Sequence, residues 1–485
     1  MAEVKPYIQT LFNAKGINIQ SNRQVLFEEF VKAPDCEEAV NSIIEKQNQI
    51  MDKWKIKNRI ADILSQQIVI PNATYGKPYE AKIDFQKLNL GDLIYERFEG
   101  LEEIGLGFNK TNDTIEGTPI LSGDIKFKLY FKIEGELENA PANEKSISLV
   151  VNPDPKSLWK DIPSDKNDMF WKEDDISAYD KLGNKNIVVS SKRGRSHKNV
   201  GSFRDDDFAF KYFEKTGWSV IAVSDGAGSY SLSRKGSQLA CNSVIEYFEN
   251  HSDIEKSKEF EIKIAEYSNS NDDSLLKELE ILAKQNLYKA TVYVHNKIKE
   301  HSELTFKSNP ELFNNPKAKS HIDYYHSTLI FALFKKYDFG YVILTFGVGD
   351  CPIALMNKEQ TETTLLNWLD VGEFGGGTRF ITQADIFHST EHPMATRFNF
   401  KIVPDFSYLF LMTDGIYDPK FIVEANLEKH EKWSEFLSDL QGKNDDNVRV
   451  EFNNNNNGEI AEQLASWMDF WSQGNHDDRT LAIIF

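Results

Sequence analysis

The sequence predicts an α+β protein built in several segments. Three patterns predict it: helical spacing near the amino end, a β-rich stretch broken by turn formers, and, from Ile187 onward, strands and helices that do not alternate regularly. At 485 residues the chain exceeds one ordinary core, and roughly 100–200 residues per domain suggests two or three.

In chain order, Val40, Ile43, Ile44, Ile50, Met51, Trp54, Ile60, Ile63 and Leu64 fall at helical spacing with charged residues between them. They place a helix-rich region over about 22–66, and residues 1–66 form a helical first segment. The texture changes at Ile68. Short β-rich runs (Ile68 to Ile70, Ile125 to Ile133, Ser146 to Val151) are separated by Pro71-Asn72, Gly76-Lys77-Pro78 and Gly117-Thr118-Pro119, the signature of a small β-sandwich over 67–151. Residues 152–186 are polar, carry Pro153, Pro155 and Pro163, and read either as a linker or as an extended flank of the carboxy-terminal segment.

From 187 to 485, Trp218 to Val223, Thr328 to Phe334, Tyr341 to Phe346, Tyr408 to Met412 and Leu481 to Phe485 read as strands. Leu232 to Phe248 and about Ser274 to Ile298 read as helices. The asparagine run 453–457 reads as a surface loop.

Charge narrows the partners. The balance of 56 basic and 75 acidic residues leaves a net charge of -19, which repels nucleic acid and anionic membranes. No export signal or span of ~18–20 apolar residues is visible. Only Cys36, Cys241 and Cys351 occur, without metal-ligand spacing, so no disulfide framework is expected and a reducing, cytoplasmic setting is. The sequons at Asn72, Asn109 and Asn112 then carry no meaning.

Three times an aspartate stands at the end or start of an apolar strand beside small residues: Val223-Ser224-Asp225-Gly226-Ala227-Gly228, Met412-Thr413-Asp414-Gly415, and His476-Asp477-Asp478-Arg479-Thr480. One Asp-Gly after a strand is a common turn. Carboxylates brought from separate strand ends to one point are what a hard divalent cation needs, because Mg²⁺ and Mn²⁺ take oxygen ligands. The three together therefore point to a metal site.

These motifs resemble the metal-dependent protein phosphatases of the protein phosphatase 2C type, in particular their compact bacterial branch. The resemblance runs over residues 187–485 through Ser196-His197, Arg204-Asp205-Asp206-Asp207-Phe208, Ser224 to Gly228, His326-Ser327-Thr328-Leu329, Gly347-Val348-Gly349-Asp350-Cys351, Thr413-Asp414-Gly415 and Asp477 to Thr480. It implies a four-layer αββα sandwich of two antiparallel sheets. Residues 68–151 resemble, less specifically, the Ig-like, cadherin-like modules of bacterial proteins, through Tyr75 to Tyr79, Gly107-Phe108, Ile115 to Pro119 and Ser122-Gly123-Asp124.

Carried over, the phosphatase resemblance makes Asp225 a carboxylate bridging two metals and the Gly226 carbonyl a ligand of one. Asp414 and Asp477 complete the first metal's shell, Asp205 or Asp206 holds the second, and Asp350 with Asp414 supports a weaker third. Two or three Mn²⁺ or Mg²⁺ are thus expected, and two such ions activate a bridging water for in-line attack on a phosphate monoester.

Two departures stand out. Gly201 occupies the position of an arginine that clamps substrate phosphate, leaving Arg195 and His197 as candidate phosphate-binding residues. Ala227 stands where animal members carry a proton-donating histidine. Gly372 to Thr378 lacks the Lys-Ser or Lys-Thr of a nucleotide loop and reads as a flap by the active site or as a surface turn.

The expectation is a serine/threonine phosphoprotein phosphatase. Its phosphoprotein substrate is, by the resemblance, a cognate kinase or that kinase's targets, and the amino-terminal segments contact a protein partner. A phosphatase-like scaffold without turnover and a small-molecule phosphatase are the alternatives. The shorter Asp205-Asp206 in place of a Glu-Asp pair favours the scaffold.

Overall fold

The computed structural model describes residues 4–154, 158–250, 255–270, 272–370, 377–390, 392–453 and 458–485. Residues 372–376 of the glycine-rich 372–378 stretch and the asparagines 454–457 lie outside the described residues. The chain divides into two compact units, Met1–Leu158 and Trp159–Phe485.

The first unit opens with α1 (Val4–Ala14), ahead of the residues whose spacing marks a helix, then α2 (Gln24–Phe30) and α3 (Pro34–Ser65). Strands β1 (Ala73–Thr74), β2 (Tyr79–Lys82), β3 (Leu93–Glu99), β4 (Leu106–Asn109), β5 (Thr114–Gly117), β6 (Gly123–Ile133) and β7 (Asn143–Asn152) come next. They form two sheets, ordered β1-β7-β6-β3 and β2-β5-β4, with β1 parallel to β7. Strict alternation turns Phe127, Leu129, Phe131 and Ile133 of β6 and Ile147, Leu149 and Val151 of β7 into one core with Ile63 of α3. Lys145 occupies an inward position of β7 because its ammonium reaches the carbonyl of Leu64 at 2.9 Å, at the end of α3, where helix carbonyls lack partners. Ile68 and Ile70 are buried in this core without forming the expected strand.

The second unit runs β8 (Asp175–Leu182), β9 (Lys185–Lys192), α4 (Arg195–Val200), β10 (Asp207–Phe213), β11 (Trp218–Ser224), α5 (Ser233–Asn250), α6 (Glu255–Ser270), α7 (Asp273–Ser308), β12 (Leu329–Tyr337) and β13 (Gly340–Val348). It continues with β14 (Ile353–Asn357), β15 (Thr363–Leu365), β16 (Phe398–Val403), β17 (Phe406–Met412), α8 (Asp414–Phe421), α9 (His430–Leu440), α10 (Glu459–Trp467) and β18 (Arg479–Ile484). Strand β8 lies within the 152–186 segment that the sequence leaves open between linker and flank.

Two antiparallel sheets result, β10-β11-β12-β13-β16 and β15-β14-β17-β18-β9-β8. Ile221 and Val223 of β11 face Leu409 and Leu411 of β17 and Ala482 and Ile484 of β18 in the core between the sheets. The alternate residues Val220 and Ala222 pack on α5 and α7, while Phe410, Met412, Leu481 and Ile483 pack on α8, α9 and α10. The period of two thus makes each strand apolar on both faces and stacks helices, sheet, sheet and helices in that order. Among the described residues no helix is long and apolar enough to cross a membrane.

Candidate metal centre

The sandwich brings the ends of strands from both sheets to one edge. Strand β11 ends at Ser224, so Asp225 leaves it beside the start of β12, where the Asp225 amide donates to Thr328 Oγ1 at 2.9 Å and its carbonyl accepts from the Thr328 amide at 2.8 Å. In the other sheet β17 ends at Met412, Thr413 caps α8, and Asp414 opens that helix. Asp477 and Asp478 precede β18. Asp205 and Asp206 precede β10, and Asp350 follows β13 by one turn.

Two glycines let the backbone close in. A Cβ on Gly415 would stand 1.9 Å from the Asp478 carbonyl, and one on Gly226 would stand 2.7 Å from the Asp205 carbonyl. Either would push apart the segments that carry the aspartates.

Asp206 links the two sheets. Its Oδ2 accepts from Thr413 Oγ1 at 2.8 Å and from Thr480 Oγ1 at 2.7 Å. Its Oδ1 is buried with no partner, and so is Oδ1 of Asp350, whose other oxygen accepts from Thr378 Oγ1 at 2.8 Å. A buried carboxylate oxygen without a donor is costly.

The charges agree with those orphaned atoms. Burial first, then Asp414, Asp206, Asp477 and Asp350, raise the Asp225 carboxyl well above the carboxylate range. Burial, then Asp477, Asp350 and Asp206, do the same to Asp414. Asp206 is lifted to about 7 by burial and Asp478. Asp477 and Asp350 are raised by burial as well. Carboxyls that resist ionisation in each other's company form a site deficient in positive charge, and oxygen-seeking divalent cations fit that donor set.

Asp225 and Asp350 place carboxylate oxygens within 4.8 Å of one another, with the Cys351 sulfur in the same radius. Burial pushes the Cys351 thiol far up, so it stays protonated; a neutral thiol is a poor partner for a hard cation, and we exclude it from the ligand set. Among the described residues Asp225, Asp414 and Asp477 do not form an equally tight triple. They interact over a wider space, which suits more than one ion.

Asp205 stands slightly apart, with Oδ2 3.9 Å from His197 Nε2. The His197 ring is fixed by Nδ1, 2.9 Å from Asp478 Oδ1. Burial works against the imidazolium, but Asp478, Asp205 and Asp477 outweigh it and lift His197 to about 9. Burial likewise opposes the Asp478 charge, and the contacts with His197 and with the Gly194 and Asp205 amides more than compensate, leaving that carboxyl below its ordinary value.

Arg195 is engaged with the chain after α10. Its guanidinium donates to the carbonyls of Phe470 at 3.1 Å and Asp469 at 2.7 Å and stacks 5.2 Å from the Trp471 ring. These contacts tie α4 to the chain after α10.

Sequence reasoning missed several participants. Asp478, Thr328, Thr413 and Thr480 stand in the quoted motifs, but no role was read for them. Asp418, exposed one turn after Asp414 on α8, is raised by burial and by Asp350, and its spacing of four from Asp414 was a usable signal. Lys172, in the polar 152–186 segment, is buried with its ammonium 2.7 Å from the Asp206 carbonyl and 2.9 Å from Asp207 Oδ2.

The family model described as "Protein phosphatase 2C" matches residues 193–469. The match leaves residues 1–192 and 470–485 uncovered, and the comparisons give no support to an Ig-like module at 68–151. Among solved structures, the catalytic domain of the serine/threonine protein phosphatase PstP with two manganese ions is 15% identical, covers 61% of this chain and 96% of its own, and has a TM-score of 0.33. RsbX in complex with magnesium is 11% identical, with coverages of 64% and 98% and a TM-score of 0.32. The S. agalactiae serine/threonine phosphatase is 13% identical, with coverages of 62% and 99% and a TM-score of 0.33. No curated protein matches the chain. Assignment to a family rests on the 193–469 stretch.

Proposed function

Because the chain belongs to the protein phosphatase 2C family, we propose that its second unit is a metal-dependent serine/threonine phosphoprotein phosphatase. The observation that carries the reading is the pair of buried, donorless carboxylate oxygens on Asp206 and Asp350, set among carboxyls that burial and mutual repulsion keep from ionising.

Asp225, Asp206, Asp350, Asp414 and Asp477, with the Gly226 carbonyl, are the residues that would hold two or three Mn²⁺ or Mg²⁺. Such ions, when bound, supply an activated water and neutralise phosphoryl oxygens. The chain's own residues do the rest. Thr413 and Thr480 fix the Asp206 carboxylate, and Thr328 fixes the backbone of Asp225. His197, held protonated by Asp478, keeps a positive charge beside Asp205 through neutral pH, where an ester phosphate brings negative charge. With Arg195 engaged elsewhere, His197 is the better phosphate-facing candidate of the two.

Exposed Ile50, Met51 and Trp54 on α3 support the further reading that the first unit contacts a partner protein.

The test is hydrolysis of an aryl phosphate and of phosphothreonine and phosphotyrosine peptides, with Mn²⁺ and with chelator, by wild type and Asp225→Asn. Metal-dependent turnover that disappears in the variant, with phosphothreonine preferred, supports the enzyme. Equal background rates in both, with metal still bound by the wild type, would make the unit a scaffold.

A further inference from the structure

A groove of about 700 Å³ is built on segments that hydrogen-bond to those carrying Asp225 and Asp350. One wall is an aromatic stack in which the His326 ring lies 4.6 Å from Tyr230 and 4.8 Å from Phe380. That wall is joined to the candidate metal centre at three points. The His326 carbonyl accepts from the Ala227 amide at 3.0 Å, two residues past Asp225, and Thr328, two residues past His326, pairs with the Asp225 backbone. His326 Nδ1 stands 2.6 Å from Thr382 Oγ1. Thr378, next to the groove residue Arg379, donates to Asp350.

The groove is cationic on a chain of net charge -19. Lys299 from α7, Lys317 and Lys319 from the loop before β12, and Arg379 line it, against Glu303, Asp323 and Asp385. One of the acids is neutralised and another is fixed in the wall with its charge intact. Asp385 pairs with Arg379, and Asp323 accepts the amides of Lys319 at 2.7 Å and Ser320 at 3.0 Å together with Ser320 Oγ at 2.8 Å. Glu303 and Asp323 are left to oppose three ammonium groups, none of which makes an ion pair among the described residues, so one positive charge remains in excess. Burial keeps His326 below its ordinary value, so the positive charge comes from the lysines and persists at neutral pH.

We propose that this groove receives acidic residues flanking the phosphorylated residue of a protein substrate, making the enzyme selective for phosphoserine and phosphothreonine in acidic sequence. The proposal rests on the phosphatase reading above. Each lysine is exposed, so each contributes modestly; acting together they steer and orient an acidic segment, in a manner that salt weakens.

The test compares the full-length wild type with K299E/K317E/K319E on phosphothreonine peptides with acidic, neutral or basic flanks, and on an aryl phosphate too small to reach the groove. Wild type should favour the acidic peptide over the basic one by about tenfold in kcat/KM at low ionic strength, the value expected of a few exposed charge pairs. The variant should lose or invert that preference while its aryl phosphate turnover is unchanged. Equal treatment of the peptides by a wild type that turns over the aryl phosphate overturns the groove assignment. Absence of aryl phosphate turnover in wild type overturns the phosphatase reading instead. Fluorescence anisotropy with the same labelled peptides then decides the groove without catalysis: binding of the acidic peptide lost in the variant supports it, and equal binding by both proteins overturns it.

Discussion

His197 Nδ1 stands 2.9 Å from Asp478 Oδ1, and the same carboxylate accepts the amides of Gly194, at 2.6 Å, and of Asp205. One buried side chain thus ties the turn after β9, the acidic run before β10 and the start of β18 together, and orients Asp205 without itself facing the proposed cations. Asp478→Asn keeps the shape and removes the charge. The His197 imidazole should then titrate well below its present value of about 9, as read by NMR of the ring protons. Mn²⁺ affinity should fall by about 10–100-fold, the usual effect of losing a group that orients ligands. An unchanged His197 titration would show that Asp478 does not carry its charge.

The metal-free protein should lose stability as pH rises. Asp205 and Asp206 are lifted to about 7, by burial first and by Asp478 next. A carboxyl whose folded pKa exceeds its unfolded one opposes folding when ionised. The cost is absent below the unfolded value near ~3.9 and complete above the folded one, and for one carboxyl moved that far it is on the order of 4 kcal/mol. His197 runs in the same direction, because its raised pKa stabilises the fold fully below ~6.5 and that contribution is lost as pH rises through about 9. In chelator, the thermal midpoint should therefore be higher near ~pH 5.5 than near ~pH 9, and saturating Mn²⁺ or Mg²⁺ should reverse the order, because cations bind the ionised carboxylates. A midpoint in chelator that climbs over this interval contradicts the charge balance described.

Asp225→Asn separates stability from function. Burial, then Asp414, Asp206, Asp477 and Asp350, oppose the Asp225 charge, so at alkaline pH, where that carboxyl is driven to ionise, the variant's metal-free melting temperature should exceed the wild type's by about 2–4 °C for each kcal/mol of relieved penalty. The same change should abolish most of the stabilisation that Mn²⁺ brings and reduce turnover to background. A variant less stable than wild type in chelator would mean that Asp225 is better satisfied in the free protein than its surroundings indicate.

The range of each interaction decides what the sequence revealed and what it hid. Asp225 and Asp414 were legible because a strand, an aspartate and a glycine stand in consecutive positions. The double-sheet architecture came from the family resemblance, and strands such as Trp218 to Val223 from their own composition. Asp478 was not legible as an organiser, since its partner His197 lies 281 positions away. Nor was Arg195, whose partners are carbonyls that no sequence pattern marks. Helix α6 (Glu255–Ser270) escaped because its charged residues blur the apolar stripe. The polar, proline-bearing run 152–186 gave no sign that Lys172 would be buried under the aspartates.

Lys172 offers the sharpest contrast between two kinds of ion pair. Its ammonium and the Asp207 carboxylate are 6% and 9% exposed, 2.9 Å apart, and the ammonium also serves the carbonyls of Asp206 at 2.7 Å and Arg234 at 3.2 Å. Lys172→Met leaves the buried Asp207 with Arg204, 3.9 Å away, as its remaining ion partner, a loss of up to ~3–5 kcal/mol. The pair between Lys211 and Glu249 is 41% and 51% exposed, and Lys211→Met should cost no more than ~1 kcal/mol. Urea unfolding of the full chain measures both. Because Lys172 precedes the 193–469 family stretch, the result also bears on where the catalytic unit begins. A loss of ~3–5 kcal/mol at Lys172 means that a chain starting at residue 187 lacks a necessary part of the acidic centre, whereas equal, small losses at both lysines would make the 159–174 segment dispensable to it.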